Sequence, residues 1–266
     1  VQHELLPNMS VTGGYYKRQF DNITATVNKA VIPATDYTAF TVIAPLHPNL
    51  PNGGGESITL YNLSPAKQGA VDNVLVNSPG RSRNYDGFEL SVNARIPRGF
   101  AFGGITMERT ITDNCADISN PNGDTNSSAQ RFCRRENPFR ALYKGSAGYR
   151  LPYDIQLAGS FQARPGIPLG ATWTVTSAIS QASGGQALTA GISSIDVELV
   201  DPTTTFYAYV LTNDLTVSRI VRLGGSRRLR AYAEIFNVMN NSRIFTRNET
   251  FGPQWYNPIN LVDARR

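Results

Sequence analysis

Apolar and polar residues alternate with a period of two along much of this chain, most clearly over residues 139–163, FRALYKGSAGYRLPYDIQLAGSFQA. Phe139, Ala141, Tyr143, Gly145, Ala147, Tyr149 and Leu151 share one face, and Arg140, Lys144, Ser146, Gly148 and Arg150 the other, with Leu142 as the one exception. After Pro152, Tyr153 and Asp154 the alternation resumes: Ile155, Leu157, Gly159, Phe161 and Ala163 stand against Gln156, Ala158, Ser160, Gln162 and Arg164. This pattern predicts a β-hairpin. Its arms exceed the about five or six residues usual in soluble proteins and match the roughly ten-residue alternating segments of outer-membrane barrels. In a soluble sandwich the apolar face would form the core; in a membrane barrel it would face lipid, with the polar face lining the lumen. Periodicity alone does not choose between them.

The same period recurs elsewhere. A strand ends at Leu5 and Leu6, and SVTGGYYKRQ (10–19) leaves the turn at Pro7 and Asn8. In 84–96, Phe88, Leu90, Val92, Ala94 and Ile96 alternate with Glu89, Ser91, Asn93 and Arg95, and Pro97, Arg98 and Gly99 turn the chain. The return strand, 100–112, loses strict alternation at Gly103 and Gly104, which predicts a bulge or a close backbone approach. Strands over 206–223 and 229–239 flank a tight turn at 224–227, and no stretch reads as a long amphipathic helix. The connections alternate strictly between short turns and long polar loops (21–83, 113–138, 165–205 and 240 onward), with one short strand-like piece, SITLYNL (57–63), inside the first loop. In an up-and-down antiparallel sheet, that places every long loop at one end, the asymmetry of outer-membrane barrels. The expected fold is therefore all-β: an antiparallel up-and-down transmembrane β-barrel, partial at about eight strands, with long extracellular loops and short periplasmic turns.

Composition narrows the choice further. At 17% charged and 41% apolar residues the 266-residue chain is not disordered, and no run approaches the roughly twenty apolar residues of a spanning helix. Its net charge of +5 and pI near 9.3 come from arginines scattered singly, unlike the clustered basic stripe of a nucleic-acid footprint, so no nucleic-acid partner is expected. The start, VQHELLPNMS, lacks a basic region followed by an apolar one, so no signal peptide is visible.

Four stretches resemble one family: YDGFELSVNARIPRGFAFGG, the cysteine-bearing loop that follows it, RLGGSRRLRAYAEIFNVMNNS and FGPQWYNPINLVDARR. They are similar to the C-terminal half of the barrel of TonB-dependent outer-membrane receptors, nearest to the Oar-like subgroup that carries an N-terminal carboxypeptidase-regulatory-like domain. The strongest piece, AEIFNVMN (233–240), resembles the family's penultimate strand, with Glu234 and Phe236 in place of the commoner residues. The resemblance implies an outer-membrane location, uptake of an unidentified solute, and energy from the TonB complex acting through a plug region not present in this chain. Such barrels have about twenty-two strands. The chain reads as the C-terminal portion of one, stopping at Arg265 and Arg266, about where a last strand would begin. The alternative is a secreted β-rich binding or adhesion module whose Gly-, Asn- and Thr-rich loops contact a glycan or a surface.

Little in the sequence points to catalysis. KGSAG (144–148) lacks the first glycine of a nucleophile elbow and sits mid-strand, and the two histidines, His3 and His47, lie in a strand end and a Pro-rich loop. No enzyme activity and no cofactor are expected. Asp113, Asp117, Asn122 and Asp124, in a loop over 113–126, offer oxygens, but their spacing does not match an EF-hand. Under the barrel reading Glu89, Arg95, Arg140, Lys144, Arg150 and Glu234 are the lumen-facing polar wall. Tyr15, Tyr16, Tyr143, Tyr149, Phe161 and Tyr207, with Tyr153 and Tyr209, form aromatic girdles against lipid. Cys115 and Cys133, the only cysteines, lie in one polar loop that this reading places outside the cell, where thiols oxidise. They are expected to form a disulfide with Cα atoms about 4.4–6.8 Å apart, holding NPNGDTNSS (120–128) compact.

Overall fold

The computed structural model describes residues 1–124 and 129–266. Eight strands follow one another through a single antiparallel sheet: β1 (Gln2–Leu6), β2 (Met9–Asn28), β5 (Asn73–Ile96), β6 (Gly99–Asp113), β8 (Arg140–Arg150), β9 (Ile155–Arg164), β12 (Val210–Gly224) and β13 (Arg227–Ile235). A ninth short strand, β7 (Arg134–Glu136), pairs with the loop end of β6. The up-and-down order and the segregation of turns from long loops are as the periodicity predicts. No closed ring forms among the described residues: β1 and β13 do not pair, so the sheet has two open edges.

Register assigns the faces. Tyr15, Phe88 and Met107 are cross-strand neighbours, as are Leu90, Ile105, Tyr143 and Ala163, and Gly99, Tyr149 and Leu157. All belong to the apolar face, because directly paired residues point the same way. The sheet curls on its other side into a trough of about 590 Å³, lined from Gln2 and Thr12 through Glu89, Lys144 and Ser160 to Asp214. At Gly103 and Gly104 the register runs on without a shift, so there is no bulge. The close approach is real: a Cβ on Gly104 would lie 2.5 Å from the Leu90 carbonyl oxygen and one on Gly103 2.7 Å from that of Lys144. The register shift in this region falls instead between Asp21 and Ile23, opposite 79–81. Beyond it β2 and β5 stay paired as far as Asn28 and Asn73, in a region the sequence pattern reads as loop.

The sequence reading does not anticipate a hydrophobic core outside the sheet. Apolar side chains on the sheet stay exposed, Phe88 at 44%, Leu90 at 52% and Ile96 at 55%. Every member of the buried hydrophobic cluster comes instead from the long connections and the tail, among them Val42, Ile58, Leu60, Trp173, Val175, Ile195, Val197 and Trp255. These connections are not plain loops. The first contains a hairpin of β3 (Tyr37–Ile43) and β4 (Ser57–Leu63). The third contains a hairpin of β10 (Thr172–Thr176) and β11 (Ser194–Glu198), joined through a short helix, Ser177–Ala182. The tail adds β14 (Ile244–Arg247) and β15 (Pro258–Leu261). Alternation explains the packing: Trp173 and Val175, or Ile195 and Val197, point into the cluster while Thr174 and Asp196 point out, their side chains joined by a 2.6 Å hydrogen bond. We call this assembly the cap.

Candidate functional site: the cap and its cleft

Side chains hold the cap together where no strand pairing links its parts. The Asn62 amide donates to the Ala187 carbonyl at 2.8 Å and accepts from the Thr189 N–H at 3.1 Å, tying the first connection to the third. Trp255, from the tail, donates its indole N–H to the Gly170 carbonyl at 3.0 Å and carries His47 edge-on at 4.9 Å. His47 is thus a packing residue. Arg131 joins three connections, donating to the Glu198 carbonyl at 2.9 Å and meeting the Glu56 carboxylate at 2.5 Å. Between these parts lies a cleft of about 780 Å³, walled by residues 57–61 of β4, residues 195–198 of β11 and the cysteine loop. Its size falls within the range of ligand sites, about 300–1,000 Å³.

Cys115 and Cys133 are joined with Cα atoms 4.9 Å apart, as expected. The half-turned chain at the disulfide is held from the sheet side by Arg81, which is buried and donates to the Ala116 and Asp117 carbonyls at 2.9 and 3.3 Å. Next to the bridge, Asp113 and Arg134 are cross-strand partners in β6 and β7 and form a 3.1 Å ion pair. Because that pairing already closes the loop, replacing both cysteines by serine is expected to cost about 2 kcal/mol, the low end of the usual range. Thermal melts of the cap, with and without the two substitutions, measure it. Of NPNGDTNSS, residues 125–128 lie outside the described residues.

The oxygen-bearing residues of this loop do not converge. Asp113 is taken up by Arg134, and the Asn122 side chain serves the Tyr61 backbone, accepting from its N–H at 3.0 Å and donating to its carbonyl at 2.7 Å. No group of three or more metal-binding side chains occurs among the described residues. Residues 125 and 126, at the end of the 113–126 loop, lie outside them.

The six polar residues assigned to one wall share the trough face by register, but their surroundings differ. Glu89 accepts from the Tyr16 hydroxyl at 3.3 Å. Arg140 donates to the Gly166 carbonyl and lies 4.0 Å over the Phe206 ring, so it clamps the start of the third connection. Lys144 lines the trough; Arg95 and Arg150 are exposed on the same face next to short turns, and Glu234 is exposed on it at the end of β13 away from its turn. Of the aromatic set, Tyr15 packs tilted against Phe88 with centroids 5.0 Å apart and donates its hydroxyl to Asp86 at 2.9 Å. Phe88 meets Phe139 at 5.6 Å, and Tyr143 meets Tyr209 at 6.5 Å. Tyr149 lies at the turn end, and Phe161 is opposite Gly145 on the apolar face. Two assignments are corrected. Tyr16 follows Tyr15 in an extended strand and so points into the trough. Tyr207 is not in a strand, since β12 starts at Val210; it packs against the cap cluster. Burial there pushes its hydroxyl up to about 12.

Sequence reasoning missed Thr59, Arg131 and Asp196, and offered Asn122 only as an oxygen donor; all four line the cleft. The available signal was the alternation of TWTVT (172–176) and SIDVE (194–198), each as short as an ordinary soluble strand. Comparison with known protein families, with curated proteins and with solved structures finds no match to this chain.

Proposed function

We propose that the chain is a sector of an outer-membrane transport barrel of the TonB-dependent receptor kind, with its cap on the outside of the cell, taking up a solute that enters through the cap. The reading is carried by one observation: among the described residues the large apolar side chains on one face of the eight-stranded sheet stay exposed, while the buried hydrophobic cluster lies in the cap. In water, so long an apolar band would be unfavourable. Lipid removes that cost. Along β5 the band runs from Phe88 to Ile96, about 27 Å at about 3.4 Å per residue, close to the roughly 25 Å of a barrel's lipid-facing belt once tilted. Above it stands a charged row, Lys17, Asp86 and Arg109, in register, and the Tyr15 hydroxyl reaches up to it. Tyrosines with an apolar body and a wet tip suit a membrane interface.

Two open edges support a larger assembly. Unpaired backbone groups are not tolerated in hydrocarbon, so β1 and β13 need further strands, and the sheet is read as part of a ring that other strands complete. The alternative, a secreted binding module, would need the apolar face covered by a second sheet about 10 Å away, and the described residues supply none. Refolding the chain with vesicles and floating it on a density gradient tests the proposal. Co-flotation is expected, with the cap cleavable by added protease and the sheet protected. A protein that stays soluble and monomeric without lipid or detergent would overturn it.

A further inference from the structure

The cleft in the cap is bordered by two strand edges that no neighbouring strand covers among the described residues. In the β3–β4 pair, the Ala44 N–H donates to Glu56 at 2.8 Å and the Ser64 N–H to Asp36 at 2.7 Å. The bonded rungs of the ladder are therefore the even-numbered residues of β4, because bonded and non-bonded pairs alternate. Ser57, Thr59 and Tyr61 turn their N–H and C=O away from β3, into the cleft. In the β10–β11 pair the Leu199 N–H donates to Ala171 at 2.8 Å, so Ser194, Asp196 and Glu198 likewise turn away from β10.

At the two ends of the cleft, side chains already satisfy these groups. Asn122 offers its amide to both the N–H and the C=O of Tyr61, as a neighbouring strand would. Arg131 donates to the Glu198 carbonyl and holds Glu56, the residue before β4. Between them, the main-chain groups of Thr59 and Asp196 meet no partner across the cleft among the described residues. Under the edges lie Ile58 and Leu60 on one side and Ile195 and Val197 on the other, all members of one buried cluster. The two hairpins thus rest on a shared core with their free edges on a common opening.

We propose that this cleft binds an extended polypeptide segment, which adds between β4 and β11 as a strand. Main-chain bonds to the unmet groups would give the affinity, as in other strand additions. A glycan is the poorer fit, because the unmet groups are amides at strand spacing. The inference rests on the reading above for its purpose, since it makes the solute a peptide or an unfolded protein segment.

The test uses the full chain in detergent micelles and a fluorescein-labelled peptide of alternating threonine and valine with a terminal lysine. Anisotropy is expected to show saturable binding, weakened at least tenfold when alternate peptide amides are N-methylated. Thr59→Pro should weaken it at least tenfold too. The substitution removes an N–H that faces the cleft rather than the β3 ladder, and an unpaired edge N–H is a position where a strand tolerates proline. Hydrogen exchange on the unaltered chain needs no variant: saturating peptide should slow the Thr59 and Asp196 amides at least tenfold, with Ile58 and Leu60 protected throughout. Unchanged exchange at Thr59 and Asp196, protection of both before peptide is added, or binding of dextran in place of the peptide would each overturn the proposal. Flotation on the same preparation separates the two readings, because loss of peptide binding with flotation intact sinks only this one.

Discussion

Leu90→Arg should lower the stability of the vesicle-inserted sheet by about 2–4 kcal/mol, the cost of arginine near the bilayer midplane on a barrel's lipid face. Leu90 sits midway along the exposed apolar band, in register with Gly13 and Ile105. Its neighbour Ser91 faces the trough, and Ser91→Arg should cost less than about 1 kcal/mol, as surface changes usually do. The pair is informative because one residue of displacement along the strand changes the solvent. Denaturant titration in vesicles, read by far-ultraviolet circular dichroism, gives both values. Equal effects at the two positions would mean that the faces do not differ in environment, and the membrane reading would fail. Tryptophan fluorescence is the wrong probe for this experiment, since Trp173 and Trp255 both lie in the cap.

That same placement makes fluorescence and near-ultraviolet dichroism the right probes for the second experiment. Trp255→Ala is expected to cost about 3–5 kcal/mol, as large aromatic deletions from a core do. Trp255 is 4% exposed, contacts Phe251 and Tyr256 with centroids 5.2 and 5.7 Å away, and supplies the hydrogen bond to Gly170. Its loss leaves both a cavity and an unpaired carbonyl. The expected phenotype is local: near-ultraviolet dichroism collapses and protease enters the first and third connections, while the far-ultraviolet signal of the sheet persists. If cap and sheet unfold together at an unchanged midpoint, the tail does not brace the cap.

The two experiments probe the parts of the molecule that the sequence revealed unequally. Strands such as 139–163 were legible because their alternation is long and their turns, Pro97–Arg98 and Pro152–Asp154, are chemically explicit. Faces followed at once, which is why Glu89, Arg140 and Lys144 fall on one side as read. The same rule, applied strictly, would have separated Tyr15 from Tyr16. The cap was illegible for a different reason. Its strands are about five to seven residues long, separated by Gly-, Pro- and Ser-rich stretches that locally favour turns. What fixes them is tertiary: Ile58 and Val197, far apart in sequence, form strands because each buries a face against the other's hairpin. Closure of the ring was not legible either, because period-two alternation is a property of each strand and carries no information about what lies beyond the edges.

The composition of the cap core has a consequence for the order of folding. Its members come from three stretches of chain, around 42–60, 169–200 and 255, and none of these buries its apolar residues alone. They meet only when β2 and β5, then β9 and β12, stand in their places in the sheet and deliver them to one end. Contacts of such wide sequence separation form slowly, so the cap is expected to condense after the strands have found their neighbours, which time-resolved near-ultraviolet against far-ultraviolet dichroism would show. A sheet assembled with one hairpin displaced would present loose connections where a closed cap should stand. Loose connections of that kind are open to proteolysis, so a closed cap depends on the strand order beneath it.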